Sequence, residues 1–311
     1  MCACTCVTPI AATMKVETEP RMSFVLVPHE TPHEGLSRVI REQVEKLSAE
    51  CAEAQQESSA FAHKARVRCK RIRSALRLAR PLMKGKAFDR ENRWWRDQAR
   101  LLSELRDAGA RIEALETLRP FLVTRVGVDV TRKLEERFQK QRGTVEAGEP
   151  IAAFTAGLDA RADELVPPLV RGDRANLAAA LGETYRMARN AMYAALDAEE
   201  PELLHEWRKQ AKYHALQARL MRQQFPDALD RRVAGVRDLA ELLGEVQDIE
   251  VVAAGVKRWR ERPAGFLNVL DARRKSLVTG ARAAGAALFS EKPKAWMNEL
   301  TPPVLAGQEQ A

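Results

Sequence analysis

The sequence predicts an all-α protein made of two copies of one helical unit, and three observations carry that expectation. The 311-residue chain is 45% hydrophobic but only 5% aromatic, a composition that suits helices packed through aliphatic side chains better than a β-sandwich. No segment has the period-two alternation of a half-buried strand, while long stretches repeat apolar residues at three- and four-residue spacing. Sliding the chain against itself by about 142 residues brings three blocks into register.

In those blocks His63, Arg66 and Lys70 fall on His205, Arg208 and Lys212. Arg96-Asp97, Leu101-Leu102, Glu104 and Asp107 fall on Arg237-Asp238, Leu242-Leu243, Glu245 and Asp248. Asp129 and Arg132-Lys133 fall on Asp271 and Arg274-Lys275. One such match between helical segments means little, but three in the same order argue for duplication. Each copy holds about four helices joined by short links, the pattern of an up-and-down bundle. The expected organisation is a leader over 1–22, a first repeat over 23–145, a second over 146–290 and a tail over 291–311.

The helices follow in order. Thr31 is placed to cap the first helix, with Pro32 at its first position and Glu34 closing a capping box, and the pattern runs to Gln56. A second helix follows Ser58-Ser59 and reaches Met83; a third spans Asp89 to Leu118 and a fourth Gly127 to Arg142, with Gly85 and Pro120 as punctuation. After a link from Gly143 to Pro150 come a short helical stretch and then helices over Arg174–Asp197, Pro201–Phe225, Asp227–Arg260 and Phe266–Leu288.

Charge narrows the function. The 51 Lys and Arg exceed the 43 Asp and Glu, leaving a net charge of +8, which favours an anionic partner. No uncharged apolar run is long enough to cross a bilayer, and the N-terminus lacks the apolar run of a signal peptide, so a soluble, cytoplasmic protein without a membrane partner is expected. The five cysteines form no disulfide framework, in keeping with a reducing compartment; Cys2, Cys4 and Cys6 lack a fourth metal ligand nearby. His29-Glu30-Thr31-Pro32-His33 spells a zinc-protease pattern, but a helix beginning after Thr31 leaves His29 outside it. With no phosphate-cradling glycine loop and no nucleophile elbow, neither catalysis nor a cofactor or metal is expected.

The cations themselves are ordered. On a helical wheel Arg66, Lys70, Arg73, Arg77 and Arg80 share one sector, and Ala65, Cys69, Ile72, Leu76, Ala79 and Met83 the opposite one. In the second copy Arg208, Lys212, Arg219 and Arg222 form the basic sector, opposite Trp207, Ala211, His214, Ala218, Met221 and Phe225. A solvated helix face usually interleaves acids with bases, yet no Asp or Glu occurs from Ser58 to Phe88 or from Trp207 to Pro226. Like charges at three- and four-residue spacing repel, so each row requires acids on neighbouring helices or a bound anion. From Arg66 to Arg80 the row extends about 20 Å at ~1.5 Å per residue, a length suited to a polymer. His63 and His205 open the two rows, Lys209 adjoins Arg208, and Arg132, Lys133, Arg137, Lys140, Arg273, Arg274 and Lys275 are candidates for further walls. Asp107 and Asp248 are expected to orient neighbouring His or Arg side chains.

A repeated His-x-x-Arg-x-x-x-Lys/Arg helix followed by a Leu-Leu-Gly-x-x-Arg-Asp-like helix resembles the CHAD family, the conserved histidine α-helical domain. His63, Arg66, Lys70, Arg73 and Arg77 carry the resemblance in the first copy, and His205, Arg208, Lys212 and Arg219 in the second; it extends from Phe24 to Leu288. The resemblance implies two four-helix bundles related by a pseudo-twofold, a basic cleft that holds inorganic polyphosphate, and association with polyphosphate granules. Departures are Ala215 in the place of Arg73, Gln247 in that of Arg106, and Ser103 where Gly244 keeps the usual glycine. The alternatives are nucleic-acid binding through the same rows, or a scaffold that docks an acidic protein.

Overall fold

A computed structural model describes residues 24–53, 58–141, 148–161, 171–198 and 200–300, and every regular element among them is helical. The leader and its cysteines lie outside the described residues. Helix α1 (Pro32–Glu53) starts as expected: the Thr31 amide donates to Glu34 Oε2 at 2.9 Å, and the Glu34 amide donates to Thr31 Oγ1 at 3.3 Å. His29 precedes the helix, so the two histidines of the protease-like pattern do not share a helical face. Ahead of α1, Phe24 and Leu26 are buried, and the Leu26 amide donates to the Leu220 carbonyl at 2.8 Å.

Helix α2 (Ser58–Ala79) runs into a short 3-10 turn, Arg80–Leu82. The expected third helix is two, α3 (Ala87–Leu101) and α4 (Ser103–Val126), because the chain leaves helical geometry at Leu102. Pro120, expected as punctuation, instead sits inside α4. Ala114, Leu115, Leu118 and Leu122 keep one buried stripe across it, and tertiary packing outweighs the missing N–H. The helix ends at Gly127, whose φ of 89° is costly for any residue with a Cβ.

Helices α5 (Val128–Gln141) and α6 (Gly148–Asp159) complete the first half. The second half contains α7 (Arg174–Ala198), α8 (Pro201–Met221), α9 (Pro226–Lys257) and α10 (Phe266–Leu288). α7 is opened by Asp173, whose Oδ1 accepts the Asn176 amide at 3.0 Å, and prolines take the first helical position of α8 and α9. Within the region expected as a tail, α11 (Pro293–Glu299) packs on α7 and buries Trp296 completely.

Sequential helices pack on one another: α1 on α2, α2 on α3, α4 on α5, α7 on α8, α8 on α9 and α9 on α10. The halves are not separate bodies, since α4 lies along α9, α2 meets both α7 and α8, and one apolar core runs through both. α6 packs against α1 and α3, with Phe154 edge-on to Phe61, so it belongs physically to the first half. As a central helix touching α1, α3, α4, α7 and α8, α2 buries Phe61, Ala62, Ala75 and Leu78 besides Ala65, Cys69, Ile72, Leu76 and Ala79 of its expected core sector, while Met83 lies past its end and is half-buried. The expected core sector of α8 is buried from Trp207 through Phe225.

Candidate functional site

The apolar sectors of α2 and α8 are anchored in the shared core, so their basic sectors are left facing one space. Between them opens a cleft of about 370 Å³ lined by His63, Arg66, Lys70 and Arg73 from α2 and by His205, Arg208, Lys209 and Lys212 from α8. Val67, Cys69, Ala99, Tyr213 and Gln247 complete the lining, in which no Asp or Glu occurs among the described residues. Gln217 Nε2 on α8 donates to the Ser74 carbonyl of α2 at 3.1 Å, a direct tie between the helices that carry the rows.

The repeat-equivalent arginines are seated by different means. Arg66 Nη1 donates to the Ala99 carbonyl at 2.7 Å and to Ser103 Oγ at 2.9 Å, at the junction of α3 and α4. Its counterpart Arg208 lies against Gly244 of α9, where an added Cβ would stand 3.5 Å from a guanidinium nitrogen. Ser103 and Gly244 thus each lie against the arginine of their own half, Ser103 through a hydroxyl acceptor and Gly244 through van der Waals contact. Arg73 Nε donates to Asn92 Oδ1 at 3.1 Å. Burial, with Arg77 and Arg96 adding like charge, holds the Arg73 guanidinium below its ordinary range. Arginine stays charged at neutral pH even so. The Cys69 thiol is pushed up to about 12 by burial, so no thiolate is present at neutral pH.

The row on α2 continues past Tyr213. Arg77 lies over the Tyr213 ring with its guanidinium carbon 4.4 Å from the centroid, and Lys70 Nζ is 5.9 Å from the same ring. Arg77 and Arg80 line the neighbouring cavity, not the cleft. On the opposite flank a groove of about 580 Å³ is bordered by Lys70, Arg208 and Lys212 together with Glu241, Glu245 and Asp248. Among the described residues the basic rows therefore have one flank without acids and one with them.

Residues of both halves at matching repeat positions meet in one cleft, and the family description CHAD domain matches residues 38–256. The chain belongs to the CHAD family. This CHAD match takes in α1 from Arg38 and nearly all of α9, leaving α10 and α11 beyond it. No curated protein matches the chain.

Several residues expected in the CHAD site are not brought to the cleft. Arg132 pairs with Glu136 at 2.9 Å and Asp129 at 3.6 Å, and Arg137 donates to the Glu261 carbonyl at 2.9 Å while lying over Trp259. Lys133 and Lys140 are exposed on α5, away from the cleft lining. Arg273 pairs with Glu245 at 2.8 Å, Arg274 with Glu250 at 3.3 Å and Lys275 with Asp271 at 2.8 Å. Arg222 pairs with Asp230 at 2.6 Å and Arg219 is outside the cleft lining, whereas Lys209 does line the cleft and contacts Glu206 on its own helix. Asp248 borders the acid-bearing groove, while the Asp107 side chain lies outside the described residues. Tyr213 and Asn92 went unnoticed in the sequence because an isolated aromatic and a single amide carry no periodic signal.

Proposed function

We propose that this CHAD protein binds inorganic polyphosphate without catalysis, in the cleft between α2 and α8. The observation that carries the reading is the gathering of six Lys and Arg side chains and two histidines, from both halves, around a space that no carboxylate of the described residues lines. A chain of phosphates brings only acceptor oxygens and a charge on every unit, which guanidinium forks and ammonium groups match. On the same reading the α1–α5 and α7–α10 sets are the two bundles of a pseudo-twofold repeat, and the protein acts in the cytoplasm at polyphosphate granules. Among the described residues no helix is long and apolar enough to cross a membrane.

Single-stranded nucleic acid needs exposed rings for base stacking, whereas the aromatic residue of this lining, Tyr213, is only 7% exposed. The test is titration of the full chain with long-chain polyphosphate, duplex DNA and single-stranded RNA at two salt concentrations. Polyphosphate is expected to bind most tightly and orthophosphate weakly. Equal affinity for DNA would replace this reading with a general polyanion site.

A further inference from the structure

Arg66 and Arg73 stand two turns apart on α2, and the groups that accept their hydrogen bonds stand two turns apart on α3 in the reverse direction. Arg66 reaches the Ala99 carbonyl and Arg73 reaches Asn92 Oδ1, at 2.7 and 3.1 Å. Asn92 lies on the same stripe of α3 as Phe88, Trp95 and Leu102, all three of them buried. A polar side chain in an apolar stripe answers to something across it, and here that is Arg73. The repeat supplies a comparison. Arg96-Asp97 falls on Arg237-Asp238, which carries Asn92 onto Val233, and Arg73 falls on Ala215. The second half thus lacks the arginine and the amide together, and Ala215 and Val233 are packed on the core instead.

The kind of acceptor matters as much as its place. Half-buried arginines elsewhere in the fold are seated on carboxylates: Arg38 on Glu30, Arg68 on Glu50, Arg161 on Glu91 and Arg274 on Glu250. Those pairs cancel the charge that they hold in place. Asn92 is neutral, and the amide must present its oxygen, because a guanidinium only donates. Bonding at Nε fixes the side chain and leaves its charge, and its terminal nitrogens, to the cleft that Arg73 lines. Arg77 and Arg96 bear on the same guanidinium with like charge.

We propose that Asn92 is a positioning residue of the polyphosphate site, orienting Arg73 without cancelling its charge, and that this grip belongs to the first half. The assignment rests on the polyphosphate reading of the cleft. The test is anisotropy titration of the full chain with end-labelled long-chain polyphosphate over a range of salt. Wild-type protein is compared with Asn92→Ala, Asn92→Asp, Arg73→Gln and the double variant Arg73→Gln with Asn92→Ala, each verified as folded by circular dichroism. Asn92→Ala should weaken binding about threefold to tenfold, the cost of ordering a side chain that the amide had held, and keep the wild-type salt slope. Asn92→Asp retains the hydrogen bond yet should weaken binding about fivefold at roughly 100 mM salt and lower the log–log slope by about 0.7, as Arg73→Gln does. In the Arg73→Gln background, Asn92→Ala should change affinity by less than about twofold. Asn92→Ala costing as much without Arg73 as with it, or Asn92→Asp keeping the wild-type slope and affinity, would overturn the assignment and leave the cleft reading standing. A wild-type chain that does not bind polyphosphate would overturn both.

Discussion

Changing Arg66, Arg73 and Arg208 together to Ala should flatten the salt dependence of polyphosphate binding by a calculable amount. On this reading Arg66, Lys70, Arg73, Arg208 and Lys212 of the cleft meet phosphates, five cations in all, and Lys209 stays with Glu206 on its own helix. Treated as a single-stranded polyanion, polyphosphate should lose affinity with a log–log slope of about −0.7 per phosphate neutralised, or roughly −3.5 for five contacts. Raising monovalent salt from 50 to 200 mM then weakens wild-type binding roughly 100-fold. The triple variant keeps two contacts, a slope of roughly −1.4, and weakens only about sevenfold over the same range. Fluorescence anisotropy with end-labelled long-chain polyphosphate at four salt concentrations measures both slopes, and circular dichroism verifies that the variant keeps its helices. Since Arg66 also holds the α3–α4 junction, Lys70→Gln with Lys212→Gln is a parallel pair, and its slope should fall by about 1.4. A variant slope equal to that of the wild type would refute the placement of the chain in this cleft.

Three further outcomes follow from the packing. His214 is wholly buried, its Nδ1 3.2 Å from Thr184 Oγ1 and Arg232 nearby, and burial holds its pKa down at about 3. Between pH 6.5 and 3 the unfolded chain takes up a proton that the folded chain refuses, so stability is lost as pH falls through this window. His214→Leu should lack about 2 kcal/mol of the wild-type loss between pH 7.5 and 5 in urea melts, and parallel curves would show that His214 is not the cause. Gly255→Ala places a Cβ 2.6 Å from the Phe138 ring of α5, and the overpacking should cost about 1–3 kcal/mol, read as a lower urea midpoint. Cys69, although in the cleft lining, should resist iodoacetamide at pH 8 in the folded protein and react on unfolding; alkylation at the rate of a free thiol would contradict its high pKa.

The sequence by itself determined the helical class and the two basic rows, because each is a periodic property of side chains along one helix. A helical wheel placed the α8 core from Trp207 to Phe225 correctly for the same reason: burial of a helix face repeats every turn whatever the partner is. Charge neutralisation is not periodic in this way. Arg273 and Arg274 look like members of a basic wall until α9 lays Glu245 and Glu250 beside them, and Arg132 is matched within α5 itself. Likewise Pro120 reads as a stop, and only the continuous contact of α4 with α9 shows why the helix passes through it. Which cations share a cleft, and that Ser103 and Gly244 lie against the same arginine position in the two halves, were decided by tertiary structure alone. These are contacts between residues far apart in the chain, and their distances are set by how whole helices pack.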